Sequence, residues 1–142
     1  MSMNVNSPLV DREIIQDALF TAMSNGGEWA EVFVEDRQSG AAEYDENRVE
    51  TMVSSRDLGA GIRVTVGDAT GFAHTSDIST SGLKEAAQAA AAAARGGAKI
   101  TPIALRGSGT AESKVQILPE SVPKARKVEL LQKTDAAARE QD

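Results

Sequence analysis

The first part of the chain places apolar residues at helical spacing. From about Pro8 to Ser24, one face carries apolar side chains three or four positions apart. These side chains are Ile14, Ile15, Ala18, Leu19, Ala22 and Met23. Ser7 can cap this helix, and Pro8 suits its first position because the missing N–H would have no intrahelical partner there. The pattern predicts a helix that ends at Asn25-Gly26-Gly27.

After this turn, the spacing of apolar residues changes to the period of a strand. Residues 28–38 alternate between two faces. One face holds Ala30, Val32 and Val34, and the other holds Trp29, Glu31, Phe33 and Glu35. Further short runs follow, separated by breaks that include Ser39-Gly40, Glu46-Asn47 and Gly67-Asp68-Ala69-Thr70. Because such short connections require antiparallel neighbours, the pattern predicts about four to five strands, each returning on the one before.

Two more helices complete the predicted elements. The first follows Asp77, with Ser79 or Thr80 as its cap, and ends at Gly96-Gly97. Its six alanines at 89–94 have high helix propensity and permit close approach to a sheet, so we interpret them as a packing face. The last helix begins at the proline of PKARKVELLQKTDAAAREQD. Its apolar stripe includes Val128, Leu131 and Ala138.

These elements predict an α+β fold, a two-layer α/β arrangement with helices packed on a mainly antiparallel sheet. The predicted order is α-β-β-β-β-β-α, then a connector and a C-terminal helix. We assign residues 1–97 to an N-terminal α/β domain, 98–122 to an extended connector and 123–142 to a helix that begins the next segment. Because no element follows this last helix, we expect the chain to be a truncated part of a longer protein.

Composition excludes several functional classes. The 142 residues are 41% hydrophobic, which is enough for one packed domain and little more. The absence of cysteine excludes disulfides, thiolate metal sites and cysteine nucleophiles. A formal net charge of −6 does not fit nucleic-acid binding, which normally uses a basic face. No apolar run approaches the roughly 20 residues that span a bilayer, and the N-terminus has no secretory signal. We therefore expect a cytoplasmic protein that contacts neither nucleic acid nor membrane.

The stretch LGAGIRVTVGDATGFAHTSD, residues 58–77, contains the closest approach to a catalytic or nucleotide-binding pattern. Its glycines partly match the G-x-G-x-x-G loop, but Val64 takes the third glycine position and the glycines precede a strand. We interpret them as strand-end or bulge glycines. His74, Ser76 and Asp77 include the residue types of a hydrolytic triad, yet triad members are brought together by the fold and not along one strand. We expect Ser76 and Asp77 to cap the next helix.

An acidic group is the remaining candidate, as a site for a hard cation. It consists of Glu43, Asp45, Glu46 and Glu50. The group lacks the glycine and ligand order of a calcium-binding loop, so a solvated hairpin edge protected by charge is the favoured interpretation. A single histidine without cysteine also makes a poor transition-metal site. We therefore assign no catalytic, cofactor-binding or metal-binding residue, and expect no cofactor in these 142 residues.

One long pattern resembles a known family. The order GEWAEVFVED…ENRVE…GAGIRVTVGDATGFAHTSDIS…LKEAAQAAA is similar to the N-terminal domain of the TldD/PmbA (TldD/TldE) family, also called modulators of DNA gyrase. The likeness covers about residues 8–96 and resumes in KVELLQKTDAAARE. GAGIRV followed by TGFAHTSD is closer to the TldD-type subunit than to the PmbA type.

This resemblance implies a zinc-dependent peptidase system. TldD-type subunits carry a His-Glu-x-x-x-His helix in the remainder of the chain, pair with PmbA-type subunits and cleave unfolded peptides. The family is also linked to the maturation of modified-peptide antibiotics and to antitoxin turnover. This sequence has no His-Glu pair, so we expect it to be inactive and metal-free by itself, with zinc bound by the full-length protein.

The expected role is a non-catalytic N-terminal domain that helps to form the substrate channel and to assemble the subunits. Its expected partners are an unfolded peptide substrate and a subunit of the TldD/PmbA type. One alternative is a PmbA-type non-catalytic partner subunit. Another is a stand-alone interaction module that regulates a topoisomerase.

Overall fold

The computed structural model describes residues 8–94 and 115–140. Three helices, three strands and two short 3₁₀ turns follow one another in the order α1 (Arg12–Ala22), a 3₁₀ turn (Met23–Asn25), β1 (Trp29–Asp45), β2 (Arg48–Val66), β3 (Ala69–Thr75), α2 (Thr80–Ala93), a 3₁₀ turn (Pro119–Ser121) and α3 (Lys124–Arg139). The strands form one antiparallel sheet in the order β1-β2-β3. The predicted α+β class is therefore confirmed, with three strands in the described residues where the sequence predicted four to five.

The strand count differs because two predicted breaks lie inside continuous strands. β1 runs through Ser39-Gly40, and β2 runs through Asp57 and Gly59. At Gly59, a Cβ atom would lie 2.7 Å from the carbonyl oxygen of Thr75, so this glycine permits close approach of two backbones without ending the strand. A glycine in a strand therefore marked a close contact here and not a boundary.

Both hairpin turns are short. Glu46 and Asn47 have positive φ values of 45° and 63°, which confirms Asn47 as a turn residue in the left-handed region. The second turn consists of Gly67 and Asp68, with a φ of 56° at Gly67. It is shorter than predicted, because Ala69 already pairs with Val66.

α1 starts later than the sequence predicted. Its N-cap is Asp11, whose extended backbone precedes the first helical hydrogen bond, from the N–H of Ile15 to the carbonyl of Asp11. Pro8 thus lies before the helix, and Ser7 lies outside the described residues. The helix tightens into the 3₁₀ turn and stops at Gly26, whose φ of 89° confirms the predicted glycine end.

By contacts, the described chain divides into two units, of which the first contains residues 8–36 and 57–94. Its core lies between one face of the sheet and the helices α1 and α2. Ile62, Val64 and Leu83 are fully buried there. Small residues surround them: Ala18, Ala22, Ala60, Ala86, Ala87, Ala90 and Ala94. Asn25 fixes the 3₁₀ turn to the end of α2, since its Nδ2 donates to the carbonyl of Ala91 at 2.9 Å.

The alanine run forms a packing face as predicted, but only three of its six alanines are buried. Ala90, Ala91 and Ala94 are buried, whereas the other three alanines of 89–94 are exposed. The helix comes so close to β3 that a Cβ on Gly71 would lie 2.0 Å from the carbonyl oxygen of Ala90. Small residues on both elements permit this approach. The predicted end of α2 at Gly96-Gly97 lies outside the described residues.

The second unit contains residues 37–56 and 115–140, which form the outer part of the β1–β2 hairpin and α3. α3 has no buried residue; Val128 and Leu131 of its predicted stripe are half-buried, and Ala138 is exposed. Its surface carries the ion pairs Arg126–Glu129, Lys133–Glu129 and Arg139–Asp135, at 2.6, 2.8 and 2.9 Å. In the residues that the structure describes, no helix is both long and apolar enough to cross a membrane.

Candidate functional site

In the first unit, the face of the sheet that points away from α1 and α2 carries exposed aromatic side chains. We call this surface the open face. It consists of Trp29, Glu31, Phe33, Gly61, Arg63, Phe72 and His74. Trp29, Phe33 and Phe72 are 47%, 62% and 61% exposed, although residues next to them in the chain pack against the core. Large aromatic groups left in solvent on a regular sheet are a candidate binding surface.

Arg63 links the aromatic groups on the open face. Its guanidinium carbon lies 5.1 Å from the ring centre of Trp29, and its Nη2 lies 2.5 Å from Oε1 of Glu31. On the other side, Arg63 is the register partner of Phe72 in β3. A row from Trp29 through Arg63 to Phe72 therefore crosses all three strands. Because Glu31 neutralises Arg63, the row carries little net charge.

The only histidine lies at the edge of this surface. The His74 ring stacks near Phe72, with 6.3 Å between ring centres and 28° between planes. Its register partner is Gly61, and the Phe72 ring edge lies 3.3 Å from where a Gly61 Cβ would be. The Phe72 ring therefore rests over the backbone of Gly61, and His74 extends the aromatic surface along β3.

The structure does not join His74, Ser76 and Asp77 into a triad. Asp77 belongs to the start of α2, where its Oδ1 accepts the Ser79 N–H at 2.9 Å. The pKa of Asp77 is lowered from its usual 3.8, because the Ser79 hydroxyl and then the Ser79 N–H donate to the carboxylate. The prediction that Ser76 and Asp77 cap α2 is therefore wrong, because the N-cap is Ser79 and Asp77 only accepts the N–H of that residue. Within the described residues, Asp77 forms hydrogen bonds with Thr75 and Ser79 and not with His74.

Ser79 is the N-cap of α2, one of the two residues that the sequence offered for this role. Its Oγ accepts the N–H of Gly82 at 3.2 Å. Thr80 is the first residue of the helix. A side chain at Gly82 would meet the carbonyl oxygen of Asp77 at 2.3 Å, so the entry to α2 requires a glycine there.

The glycines of the opening GAG pattern lie within β2. A phosphate loop would need a strand before them and a helix N-terminus after them, but here the strand continues to Val66 and then turns into β3. Gly59 and Gly61 each leave room for a part of β3, the Thr75 backbone and the Phe72 ring respectively. The interpretation of these glycines as structural residues agrees with this geometry.

The acidic group at the end of the hairpin has local partners. Oδ1 of Asp45 accepts the N–H of Glu46 at 2.9 Å. Glu50 forms an ion pair with Arg48. Within the described ranges 8–94 and 115–140, no cluster of three or more Asp, Glu or His side chains could hold a metal ion.

A groove in the second unit is a weaker candidate. It lies between the hairpin and the start of α3, and it is lined by Gln38, Ser39, Gly40, Ser54, Ser55, Pro119, Glu120, Val122, Lys124 and Lys127. Lys124 and Lys127 bring positive charge, but Glu120 lines the same groove. The lining therefore does not select a ligand by charge.

Comparison with protein families decides what kind of domain carries the open face. Residues 30–94 match the model of the PmbA/TldA metallopeptidase domain 1. The match covers a little under half of the chain, and this segment is similar to the first domain of the PmbA/TldD family. The PmbA/TldA match begins in β1 and ends at the C-cap of α2, so it contains the whole open face except Trp29. It confirms the family that the sequence resembles and does not separate the TldD type from the PmbA type. A comparison with curated proteins found no match to this chain.

Sequence reasoning placed Trp29 and Phe33 on the same face of β1 but did not identify that face as the exposed one or connect it with β3. The length of the second hairpin turn, which sets the pairing of β2 with β3, supplies this connection. A two-residue turn at Gly67-Asp68 sets Arg63 opposite Phe72, and alternation then puts both on the side of Trp29. The predicted four-residue turn over 67–70 would instead pair Val66 with Gly71 and set Arg63 opposite His74.

Proposed function

We propose that this chain supplies the non-catalytic N-terminal domain of a TldD-like, cytoplasmic, zinc-dependent peptidase, where it forms part of the substrate channel and supports assembly of the subunits. The observation that carries the proposal is the match of residues 30–94 to domain 1 of a metallopeptidase. A first domain of such an enzyme implies further domains, and the resemblance assigns the zinc-binding helix to one of them.

The residues of this chain support a structural and binding role. His74 is the only histidine and is followed by Thr75, so the His-Glu-x-x-x-His pattern of the family is not in this sequence. His74 is stacked with Phe72 on the open face. Hydrolysis in our proposal therefore belongs to the remainder of the enzyme, and this domain contributes its sheet.

A three-stranded sheet is suited to a channel wall for unfolded peptides. Its edges offer main-chain hydrogen bonds, which every peptide sequence can match. Its open face offers aromatic side chains, which contact apolar side chains of many kinds. Together they favour binding with little sequence specificity, as cleavage of unfolded peptides requires.

The test compares this chain with the product of the reading frame that extends beyond Asp142. We expect that frame to encode a His-Glu-x-x-x-His helix, and its product to cleave an unstructured peptide in a manner that a zinc chelator abolishes. The 142-residue chain is expected to leave the same peptide intact. A stop codon directly after Asp142, or hydrolysis by the 142-residue chain, would contradict the proposal.

The exposed aromatic groups of the open face favour one rival, a stand-alone interaction module that regulates a partner such as a topoisomerase. The same reading frame separates the two functions. A stop codon after Asp142 favours the stand-alone module. A longer frame without the zinc-binding pattern identifies the PmbA-type partner subunit.

A further inference from the structure

The outer edge of β3 presents main-chain groups that no strand of the described sheet pairs with. β3 is an edge strand, because the strand order is β1-β2-β3. In a two-residue hairpin, the residues that flank the turn exchange both hydrogen bonds, so Val66 pairs with Ala69 in this way. Alternation then turns the N–H and C=O groups of Thr70, Phe72 and His74 away from β2.

The neighbouring strand supports this assignment of the hydrogen bonds. Thr65 is the register partner of Thr70, so its main-chain groups should point away from β3. Its carbonyl indeed accepts the N–H of Glu28 at 2.8 Å, on the β1 side. Thr70, by symmetry of the pair, directs its own groups to the free edge.

The two edges of the sheet differ in their protection against pairing. β1 has six charged residues among its seventeen: Glu31, Glu35, Asp36, Arg37, Glu43 and Asp45. β3, with the sequence ATGFAHT, has no Asp, Glu, Lys, Arg or Pro. Edge strands are normally kept from pairing with other chains by charges, prolines or bulges. Of the two edges, only that of β3 lacks these features, which fits an edge that receives another strand.

The side chains beside this edge indicate what kind of strand it would accept. Phe72 and His74 are exposed on the open face, next to the outward-pointing groups of the same residues. In an antiparallel pair, a residue directly opposite has its Cβ about 4.5–5.5 Å away on the same face. Aromatic and β-branched residues form the favourable pairs with an aromatic residue.

We propose that the β3 edge binds an extended polypeptide segment as a fourth, antiparallel strand, with β-branched or aromatic side chains at the alternating positions opposite Phe72 and His74. The proposal deepens the proposed function. It rests on that function only where it identifies the bound segment as a substrate of the peptidase. The physical basis is that the main-chain groups of Thr70, Phe72 and His74, which no described strand pairs with, match those of any extended chain.

A free peptide fits this edge better than a second copy of the chain does. β3 has only seven residues, whereas stable protein–protein interfaces bury about 1,200–2,000 Å² in total. Two copies would also each bring a net charge of −6. An uncharged extended peptide meets neither difficulty.

The test uses the 142-residue chain and an uncharged ten-residue peptide in which Val or Tyr alternates with Ser. Amide signals of the chain, recorded by NMR during titration, give the affinity and the site. We expect shifts and slower amide exchange at Thr70, Phe72 and His74. A peptide with N-methyl groups on the Val and Tyr residues should not bind, because those amides would face β3. The same peptide methylated on the Ser residues should bind as before.

Two variants separate the main chain from the side chain. Phe72→Pro removes both the outward N–H and the ring, whereas Phe72→Ala removes the ring alone. The loss of one hydrogen bond should make the affinity of Phe72→Pro about fivefold weaker than that of Phe72→Ala. Equal affinities would overturn the proposal, as would equal binding of the two methylated peptides. The methylated peptides need no variant, so the test holds even if Phe72→Pro does not fold.

The other possible occupants of the edge give distinct results. Slow exchange at Phe72 and His74 without peptide would mean that another part of the chain already covers the edge, and would overturn the proposal. If that protection instead grows with protein concentration together with the apparent mass in sedimentation, the occupant is a second copy, and the proposal again fails.

These results are independent of the reading frame beyond Asp142. Edge binding with a stop codon at that point would leave the inference standing and remove the peptidase function. A zinc-binding pattern downstream, without edge binding, would support the peptidase function and overturn the inference.

Discussion

The two faces of the sheet differ in how much of their apolar side chains is exposed to solvent. On the inner face, Ile62 and Val64 are fully buried beneath the helices. On the open face, the larger side chains of Phe33 and Phe72 are more than half exposed. The hydrophobic effect explains the first arrangement and opposes the second, since exposed apolar area costs about 25 cal/mol per Å². Apolar residues on the open face are therefore better explained by binding than by folding.

Substitution of strand glycines should separate the two faces most strongly. Gly71→Ala places a Cβ 2.0 Å from the Ala90 carbonyl oxygen, so α2 must move off the sheet. We expect a loss of about 4 kcal/mol or more in the free energy of unfolding, measured in urea. Gly61→Ala is the matched control, because its Cβ would meet only the movable ring of Phe72, at 3.3 Å. Its effect should stay within about 0.5 kcal/mol, and equal losses for the two variants would contradict the distinction.

Removing a large side chain from each face should give the next largest difference. Ile62→Ala deletes fully buried atoms and leaves a cavity, so the free energy of unfolding should fall by about 2–4 kcal/mol. Phe72→Ala removes more atoms from a side chain that is 61% exposed, and should cost less than about 1 kcal/mol. If Phe72→Ala proves as costly as Ile62→Ala, the open face belongs to the folding core.

The helix that covers the inner face depends on its cap. Ser79→Ala removes the acceptor of the Gly82 N–H and should lower the free energy of unfolding by about 1 kcal/mol. Thr80→Ala serves as the control, since Thr80 is the first residue within α2. Alanine has the higher helix propensity, so Thr80→Ala should be neutral or slightly stabilising in the same urea titration. The reverse order would identify Thr80 as the cap.

The ion pair on the open face should contribute least to stability. Arg63→Ala removes the contacts with Trp29 and Glu31, both of which are half exposed to solvent. Exposed pairs of this kind are screened, so the cost should be below about 1 kcal/mol. Trp29 is the only tryptophan, and its fluorescence should change in Arg63→Ala without loss of far-ultraviolet circular dichroism. A large loss of stability would show that the pair holds the sheet together.

Much of the fold follows from local patterns in the sequence. The alternation in β1, the glycine that stops the first helix and the Asn47 turn each depend on the conformation of a few neighbouring residues, so the sequence predicts them. The predicted start of α1 was wrong because both Ser7, followed by Pro8, and Asp11 can cap a helix, and local preference does not choose between them.

The features that the sequence missed depend on contacts between distant residues. Gly59 looks like a strand end because its reason, the carbonyl of Thr75, lies across the sheet. The open face combines Trp29, Arg63 and Phe72 from three strands, and only the register brings them together. A one-residue change in the length of the Gly67-Asp68 turn would reverse which side chains of β3 face the helices.

The most direct test of this account measures urea unfolding by circular dichroism, with and without the alternating peptide, for one variant of the inner face and one of the β3 edge. Ile62→Val loses about 1 kcal/mol of stability and keeps the edge intact, whereas Phe72→Pro alters the edge and leaves the buried residues in place. The peptide is added to both variants at one concentration, 100 times its dissociation constant for Ile62→Val, which should stabilise the folded state of that variant by about 2.7 kcal/mol. We predict that gain for Ile62→Val and a clearly smaller one for Phe72→Pro. An equal gain in both variants, or no gain in either, would contradict the account.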